Sequence, residues 1–372
     1  MRTASSRALL AAALAAGAAG AVSAEPAFLS RQYARCTNCH FSATGGGLLT
    51  PYGRSLSRQE LSTFGRSRGS APAGREQEFL YGALRDSTGP LSLGIDLRPS
   101  HLDLEGPGYA ETRDFLMNLD LQAAVTHGGW TFYGSLGRQP RGDDPRVTSF
   151  EHWVGYRGGS GLGVRAGRFL PAYGVHLADH TSFTRAPLGL DNEDQVYALE
   201  ASWSGARHLV QVSAGPGYAD SVGKSEERAF TATGRWQVDL TPRVVLVSSA
   251  LYRSPSEVTP RNGATGLALG VSPLKRVTVW AQADMRLREG DGDAWTFLGD
   301  VSVEVYRGVW VRVSPQLRTA FGDTTAGTVR LAAGLNLLPR THWNVVLSYY
   351  RDRDRITDRT SRTLLAQLHL YL

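Results

Sequence analysis

From about Leu91 onward, apolar and polar side chains alternate in segments of roughly ten residues, and the polar positions carry full charges at mid-segment. Residues 277–286 set Val277, Val279, Ala281, Ala283 and Met285 against Thr278, Trp280, Gln282, Asp284 and Arg286. Residues 295–305 set Trp295, Phe297, Val301, Val303 and Val305 against Thr296, Asp300, Ser302 and Glu304. A soluble sandwich buries its apolar face and has no room in that core for Asp300, Glu304, Arg235 and Arg330, whose desolvation would go uncompensated. A closed ring of strands in lipid reverses the faces, with charges toward a wet lumen and apolar residues toward hydrocarbon. A helical membrane protein is excluded after the N-terminus, because no uninterrupted apolar run there is long enough to cross a bilayer.

The expectation is therefore an all-β fold, a transmembrane antiparallel β-barrel of about 16 strands over residues 90–372. The strands fall near 91–104, 111–125, 129–138, 148–157, 162–170, 194–203, 207–214, 227–240, 243–254, 262–272, 275–288, 293–306, 308–320, 327–338, 343–352 and 362–372. Alternate connections are short, as at 204–206, 241–242, 273–274 and Arg307, and the others are longer and polar, as at 215–226, 255–261 and 353–361. This asymmetry is the outer-membrane habit and puts both termini in the periplasm. Leu364, Ala366, Leu368, Leu370 and Leu372 form the outer face of a closing strand. Trp130, Trp153, Trp236, Trp310 and Trp343 lie near strand ends, as an aromatic girdle or as ordinary strand formers. The connection from Leu170 to Asn192 is too long for a turn and reads as a constriction or binding loop.

Ahead of the barrel, Arg2 and Arg7, an apolar run from Ala8 to Val22 and the ending Val22-Ser23-Ala24 make residues 1–24 a secretory signal. Its removal takes two arginines and lowers the formal charge from +6 to +4. The remaining arginines are dispersed, so nothing points to nucleic acid as a partner.

Between signal and barrel, residues 25–89 hold both cysteines of the chain, in Arg35-Cys36-Thr37-Asn38-Cys39-His40. Two thiols three positions apart, followed at once by histidine, are the attachment pattern of a c-type haem, with one thioether at each cysteine and His40 as proximal iron ligand. A thioredoxin-like redox pair would want a βαβ setting, and half a zinc site would want further ligands nearby; neither is present. The segment has no Met and no His besides His40, and Thr44-Gly45-Gly46-Gly47 follows almost immediately. So short and glycine-rich a stretch cannot bury a haem alone, and either the barrel completes the pocket or the iron keeps an open position. For a distal ligand the barrel offers His369, inward by strand parity, and His176 or His180 from the long loop, where with Asp179 they could instead bind a metal ion. Met117 and Met285 fall on the lipid side by parity.

Pro26-Ala27-Phe28-Leu29-Ser30-Arg31-Gln32-Tyr33, the Cys36–His40 motif, and Leu48-Leu49-Thr50-Pro51-Tyr52-Gly53-Arg54 together resemble the fused monohaem cytochrome c-porin family of the outer membrane, whose members oxidise ferrous iron. The motif match covers about residues 26–54; the order of signal, haem segment and barrel covers the whole chain. Ser42–Gly47 replaces the family's short Pro-containing link, and Thr50 stands where the family has Asn. The resemblance implies one covalent haem c on a short N-terminal cytochrome c-like segment serving as a plug. It also implies an electron conduit between an extracellular donor such as Fe(II) and a periplasmic cytochrome. Export of electrons to an extracellular acceptor, a diffusion porin with a structural haem plug, and a haem enzyme or gas sensor with an open iron site remain as rivals.

Overall fold

The protein is described here by a computed structural model covering residues 26–57, 87–138, 147–179, 181–191, 194–218, 229–256, 260–340 and 342–371. The expected signal, residues 58–86, His180 and parts of the longer connections lie outside the described residues. Sixteen long strands follow one another: β1 (Leu91–Gly106), β2 (Tyr109–His127), β3 (Trp130–Arg138), β4 (His152–Arg157), β5 (Leu162–Phe169), β6 (Val196–Ser204), β7 (His208–Tyr218) and β8 (Thr231–Thr241). The second half comprises β9 (Val244–Arg253), β10 (Asn262–Leu274), β11 (Val277–Arg288), β12 (Gly292–Tyr306), β13 (Val309–Ala320), β14 (Asp323–Arg340), β15 (Trp343–Asp354) and β16 (Thr360–Tyr371). Two-residue pieces, Ser87–Thr88 and Val147–Thr148, pair with β1 and β3. Every long strand is antiparallel to its sequence neighbours, and β16 returns to β1 through pairs such as Leu370↔Leu97 and Leu365↔Leu102. The sheet is a closed ring, and each expected strand has its counterpart.

The alternation falls as the sequence implies. On β11, Thr278, Trp280, Gln282, Asp284 and Arg286 are all buried toward the lumen, whereas outward residues such as Leu121, Leu199, Leu267 and Leu331 are exposed. An exterior of this kind is stable in hydrocarbon, because only a closed ring satisfies every backbone N–H and C=O without an edge.

Three expectations need correction. At one end of the barrel, here the turn end, connections are short throughout, as at Gly128-Gly129, where both residues are left-handed as a tight hairpin requires. At the opposite loop end the connections are mixed, for Pro107-Gly108, 289–291 and Phe321-Gly322 are as short as the turns. Trp130, Trp236 and Trp343 do face outward, joined by Trp203, but Trp153 and Trp310 are buried in the lumen. Met117 is the third case. The β1–β2 register shifts at Arg98/Pro99, because proline has no N–H for the ladder, and Met117 becomes the unpaired extra residue. It is thereby turned inward and almost fully buried, with its sulfur accepting from Gln367 Nε2 at 2.8 Å. Met285 keeps its outward position opposite Trp295.

Two segments fill the lumen. Residues 26–57 cross it at the turn end, and the loop from Leu170 to Gln195 folds in from the loop end, as expected of a constriction loop. The loop is held by Tyr173 Oη donating to Asp284 (3.0 Å), Val175 N to Gln282 (2.9 Å) and Phe183 N to Gln316 (2.8 Å). Leu29 of the N-terminal segment packs with Val175 and Leu177 of the loop and with Val245, Val247, Ala268, Trp280 and Leu298 of the wall.

The outward face sets a testable expectation. Leu267, at mid-strand on β10 and 59% exposed, lies where Leu267→Arg should cost ~2–4 kcal/mol in a bilayer. Equilibrium urea unfolding in lipid vesicles measures this, and an unchanged midpoint would mean that this face does not meet hydrocarbon.

Candidate functional site

Cys36, Cys39 and His40 occupy one tight structure in the lumen. A 3-10 turn, Cys36–Asn38, is closed by the Cys39 and His40 amides, both donating to the Cys36 carbonyl (3.1 and 3.0 Å). The chain then doubles back: Phe41 N bonds Leu48 O (3.1 Å), Thr50 N bonds Cys39 O (2.8 Å), and His40 bridges to Leu49. Gly45, Gly46 and Gly47 make the reversal, all three left-handed, a conformation that side chains resist. The glycine-rich stretch that made the segment look insubstantial is the hinge of a defined hairpin.

The second half of the motif supports the first. Helix α1 (Pro51–Leu56) begins with Thr50 as cap, its Oγ1 accepting from Gly53 N at 3.1 Å, and with proline in its first turn. Gly53 lies against the Cys39 backbone, where a Cβ would overlap the Cys39 carbonyl oxygen. Thr50 caps as an asparagine would, so this departure from the family pattern preserves the physics.

Both flanks are tied to the wall. Upstream, Arg31 donates two bonds to Glu304 (2.7 and 2.6 Å), and Arg35 reaches Asp239 (2.6 Å), Ser204 Oγ (3.1 Å) and the Gly205 carbonyl (2.9 Å). Gln237 donates to Ala34 O (3.1 Å) and Thr278 Oγ1 to Ala27 O (2.8 Å). Downstream, Arg54, 1% exposed, bonds the carbonyls of Leu49 and Leu93, and Leu48 and Phe41 pack on Ala124, Tyr133, Trp153 and Phe169. Charge-assisted bonds of this sort are worth ~1.5–3 kcal/mol each against loss of one partner. These anchors carry no signature of their own in the sequence, although Arg31, Arg35 and Arg54 all lie within the stretch that resembles the cytochrome-porins.

The thiols are free, and burial raises both, Cys39 to about 11. That is the opposite of the lowered thiol of a thioredoxin-type pair. Burial holds His40 at about 4, so its imidazole is neutral with a lone pair to offer, and its Nδ1 is buried without a hydrogen-bond partner. Two free thiols on one turn and a neutral imidazole beside them are the donor set that a covalent haem needs, and the residues present fit it. Among the described residues, no group of three or more His, Cys, Asp or Glu is arranged to hold a metal ion.

The candidate distal ligands fare unequally. His369 does face the lumen, but its Nε2 is 3.2 Å from Asp96, which is held in turn by Arg98, and its ring lies 5.1 Å from Tyr371. Its Nε2 lies at ion-pair range of Asp96 but forms no hydrogen bond there. His176 lies within the folded-in loop, between Val175 and Leu177.

Solved structures similar to the chain are outer-membrane porins. OmpF of Salmonella typhi, in a complex with daunomycin, matches with a TM-score of 0.60 at 10% identity over 76% of this chain and 97% of its own. An anion-selective porin from Comamonas acidovorans matches at 0.55 and 12% identity over 76% and 99%, and the channel DcaP of Acinetobacter baumannii at 0.54 and 9% over 77% and 99%. No protein-family model matches the chain, and neither does any curated protein. What is shared is the fold: a porin-like, closed, sixteen-stranded barrel of the outer-membrane kind.

Gly53→Ala should push α1 off the Cys39 backbone. Amide hydrogen exchange over residues 36–50 is expected to rise at least about tenfold while β10 to β13 stay protected. Exchange equal to wild type would show that the helix does not clamp the turn.

Proposed function

We propose that the barrel carries one haem c, bonded through Cys36 and Cys39 with His40 as proximal ligand, and moves electrons across the outer membrane between an extracellular partner and a periplasmic cytochrome. The observation that carries this reading is the anchorage of the Cys36–His40 turn within the lumen, fixed by Arg31, Arg35 and Arg54 on both flanks. A mere tether below the pore would need none of these contacts. When bound, the haem supplies a one-electron Fe(III)/Fe(II) couple. The chain's own part is to present the thiols and a neutral imidazole, to hold the turn at a set depth, and to cover it with the loop that packs on Leu29. Ferrous iron as donor rests on the resemblance to the cytochrome-porins, and the direction of flow is open to the reverse assignment.

A second reading, a diffusion porin whose plug is propped by haem, is favoured by two observations. The structural neighbours are porins, and the lumen keeps a cavity of about 460 Å³ beside the N-terminal segment.

Purified protein should retain porphyrin through denaturing electrophoresis, and Cys36→Ser with Cys39→Ser should abolish this. Stopped-flow absorbance after mixing with Fe(II) should show haem reduction. If dithionite reduces the haem but Fe(II) does not, iron is not the donor and the generic conduit stands. No covalent porphyrin would end both readings. Single-channel conductance in planar bilayers distinguishes them, since the conduit passes few ions and the porin many.

A further inference from the structure

We propose that the cavity between the folded-in loop and strands β12 to β16, β1 and β2 is a binding site for a small multivalent oxyanion. The site is separate from the Cys36–His40 turn and stands whether or not haem is attached there.

One of its cations has no ion-pair partner among the described residues. Five arginines and three aspartates line the cavity. Asp352 takes both ends of Arg330 at 2.7 Å, Asp300 holds Arg312, and Asp179 lies 3.9 Å from Arg312. Outside the lining, Asp96 holds Arg98 at 2.6 Å and Glu111 lies 3.4 Å from Arg113, so of the five arginines Arg318 is the one without an ion pair among the described residues. Its Nε donates to Thr328 Oγ1 at 3.4 Å, and the carboxylates of Asp352 and Asp354 act on it only beyond ion-pair distance.

That cation is also held beside a like charge. The guanidinium groups of Arg318 and Arg330 both lie on the ring of Phe183, 5.1 and 4.7 Å from its centroid. Phe183 is fixed by its amide bond to Gln316, and Arg330 by further bonds to Thr181 O and Oγ1 (2.9 and 3.0 Å). Asp352 already holds Arg330, whereas Arg318 is exposed and open to a further anion beside it. Arg312 Nη2, buried and without a hydrogen-bond partner, adds a spare donor to the same wall. Toward the loop end, Arg286 and Arg288 flank Phe321 at 4.9 and 4.2 Å, which extends the positive stripe outward along β11.

Guanidinium forks match the planar or tetrahedral oxygens of carboxylate and phosphate, and two guanidiniums side by side reward more than one negative charge on the ligand. A cavity of about 460 Å³ admits a tricarboxylate with its first water shell. The same field raises the local concentration of anions and lowers that of hydrated divalent cations.

Isothermal titration of citrate, and of inorganic phosphate, into the full-length protein in detergent at low ionic strength tests this. The expected result is saturable one-to-one binding of citrate, competed by phosphate and weakened by added KCl. Arg318→Gln should weaken it at least about tenfold, the loss of one charge-assisted contact, and Arg318→Lys much less. Arg351→Gln, an exposed position on the outer face of β15, should leave it unchanged. If Arg318→Gln fails to fold, Arg113→Gln, a half-exposed lining position, is measured instead and should weaken binding in the same direction. No saturable binding of either anion, or binding equal in wild type and the lumen variants, would overturn the proposal.

Discussion

A backbone in hydrocarbon has no water to bond, and that single constraint organises this chain. Every strand must find partners on both sides, so the last must meet the first, and the β16–β1 seam closes the ring. Once the ring is closed, each residue faces either lipid or lumen, and period-two alternation is the only pattern that serves both. Where the ladder is interrupted the alternation slips. Pro99 cannot donate, the register shifts opposite it, and Met117 is carried from the lipid side to the lumen.

A polar lumen would be expensive to leave half-satisfied, and here two segments from distant parts of the sequence complete it. Glu304 receives Arg31 and Asp239 receives Arg35; without them, both carboxylates would lie on the lumen wall without a cation from the N-terminal segment. Such pairs contribute modest net stability, since desolvation offsets much of the Coulomb gain, but removing one partner is costly. Their value here is positional. They fix where along the barrel axis the Cys36–His40 turn lies, and Gly53 and Thr50 fix its shape.

What the sequence makes legible follows from range. All sixteen strands can be read because alternation is a property of each strand alone. The Cys36–His40 pattern can be read because it is five consecutive residues. The inward turn of Met117 cannot, because one proline resets the parity of the strand opposite it. Trp153 and Trp310 look like girdle residues by their position near strand ends, yet Trp153 stacks on Tyr133 at 5.2 Å inside the barrel and Trp310 packs on Phe28. Position along a strand and face of a strand are independent, and only the second decides. The anchors of the turn are harder still, since Arg31 and Glu304 are 273 residues apart and are joined only after the ring has closed.

The lumen divides into two sectors that meet at the folded-in loop. The Cys36–His40 turn is held against β6 to β8, where Arg35 grips the β6–β7 turn. The arginine-lined cavity lies against β12 to β16, β1 and β2. Leu29, from the turn's own segment, packs on Val175 and Leu177, while six residues further on Phe183 forms the floor beneath Arg318 and Arg330. The loop is thus a common wall. Its inward edge rests on the N-terminal segment, its Phe183 meets two cations of the wall, and Arg235 ties it to β8 through the Gly174 carbonyl at 2.9 Å. A displacement of the N-terminal segment would remove the apolar support of Val175 and Leu177, and the shift would be felt at Phe183 because close-packed interiors transmit strain. Val175 and Leu177 on one side and Phe183 on the other belong to one piece of chain, so the two sectors share a wall rather than a direct contact.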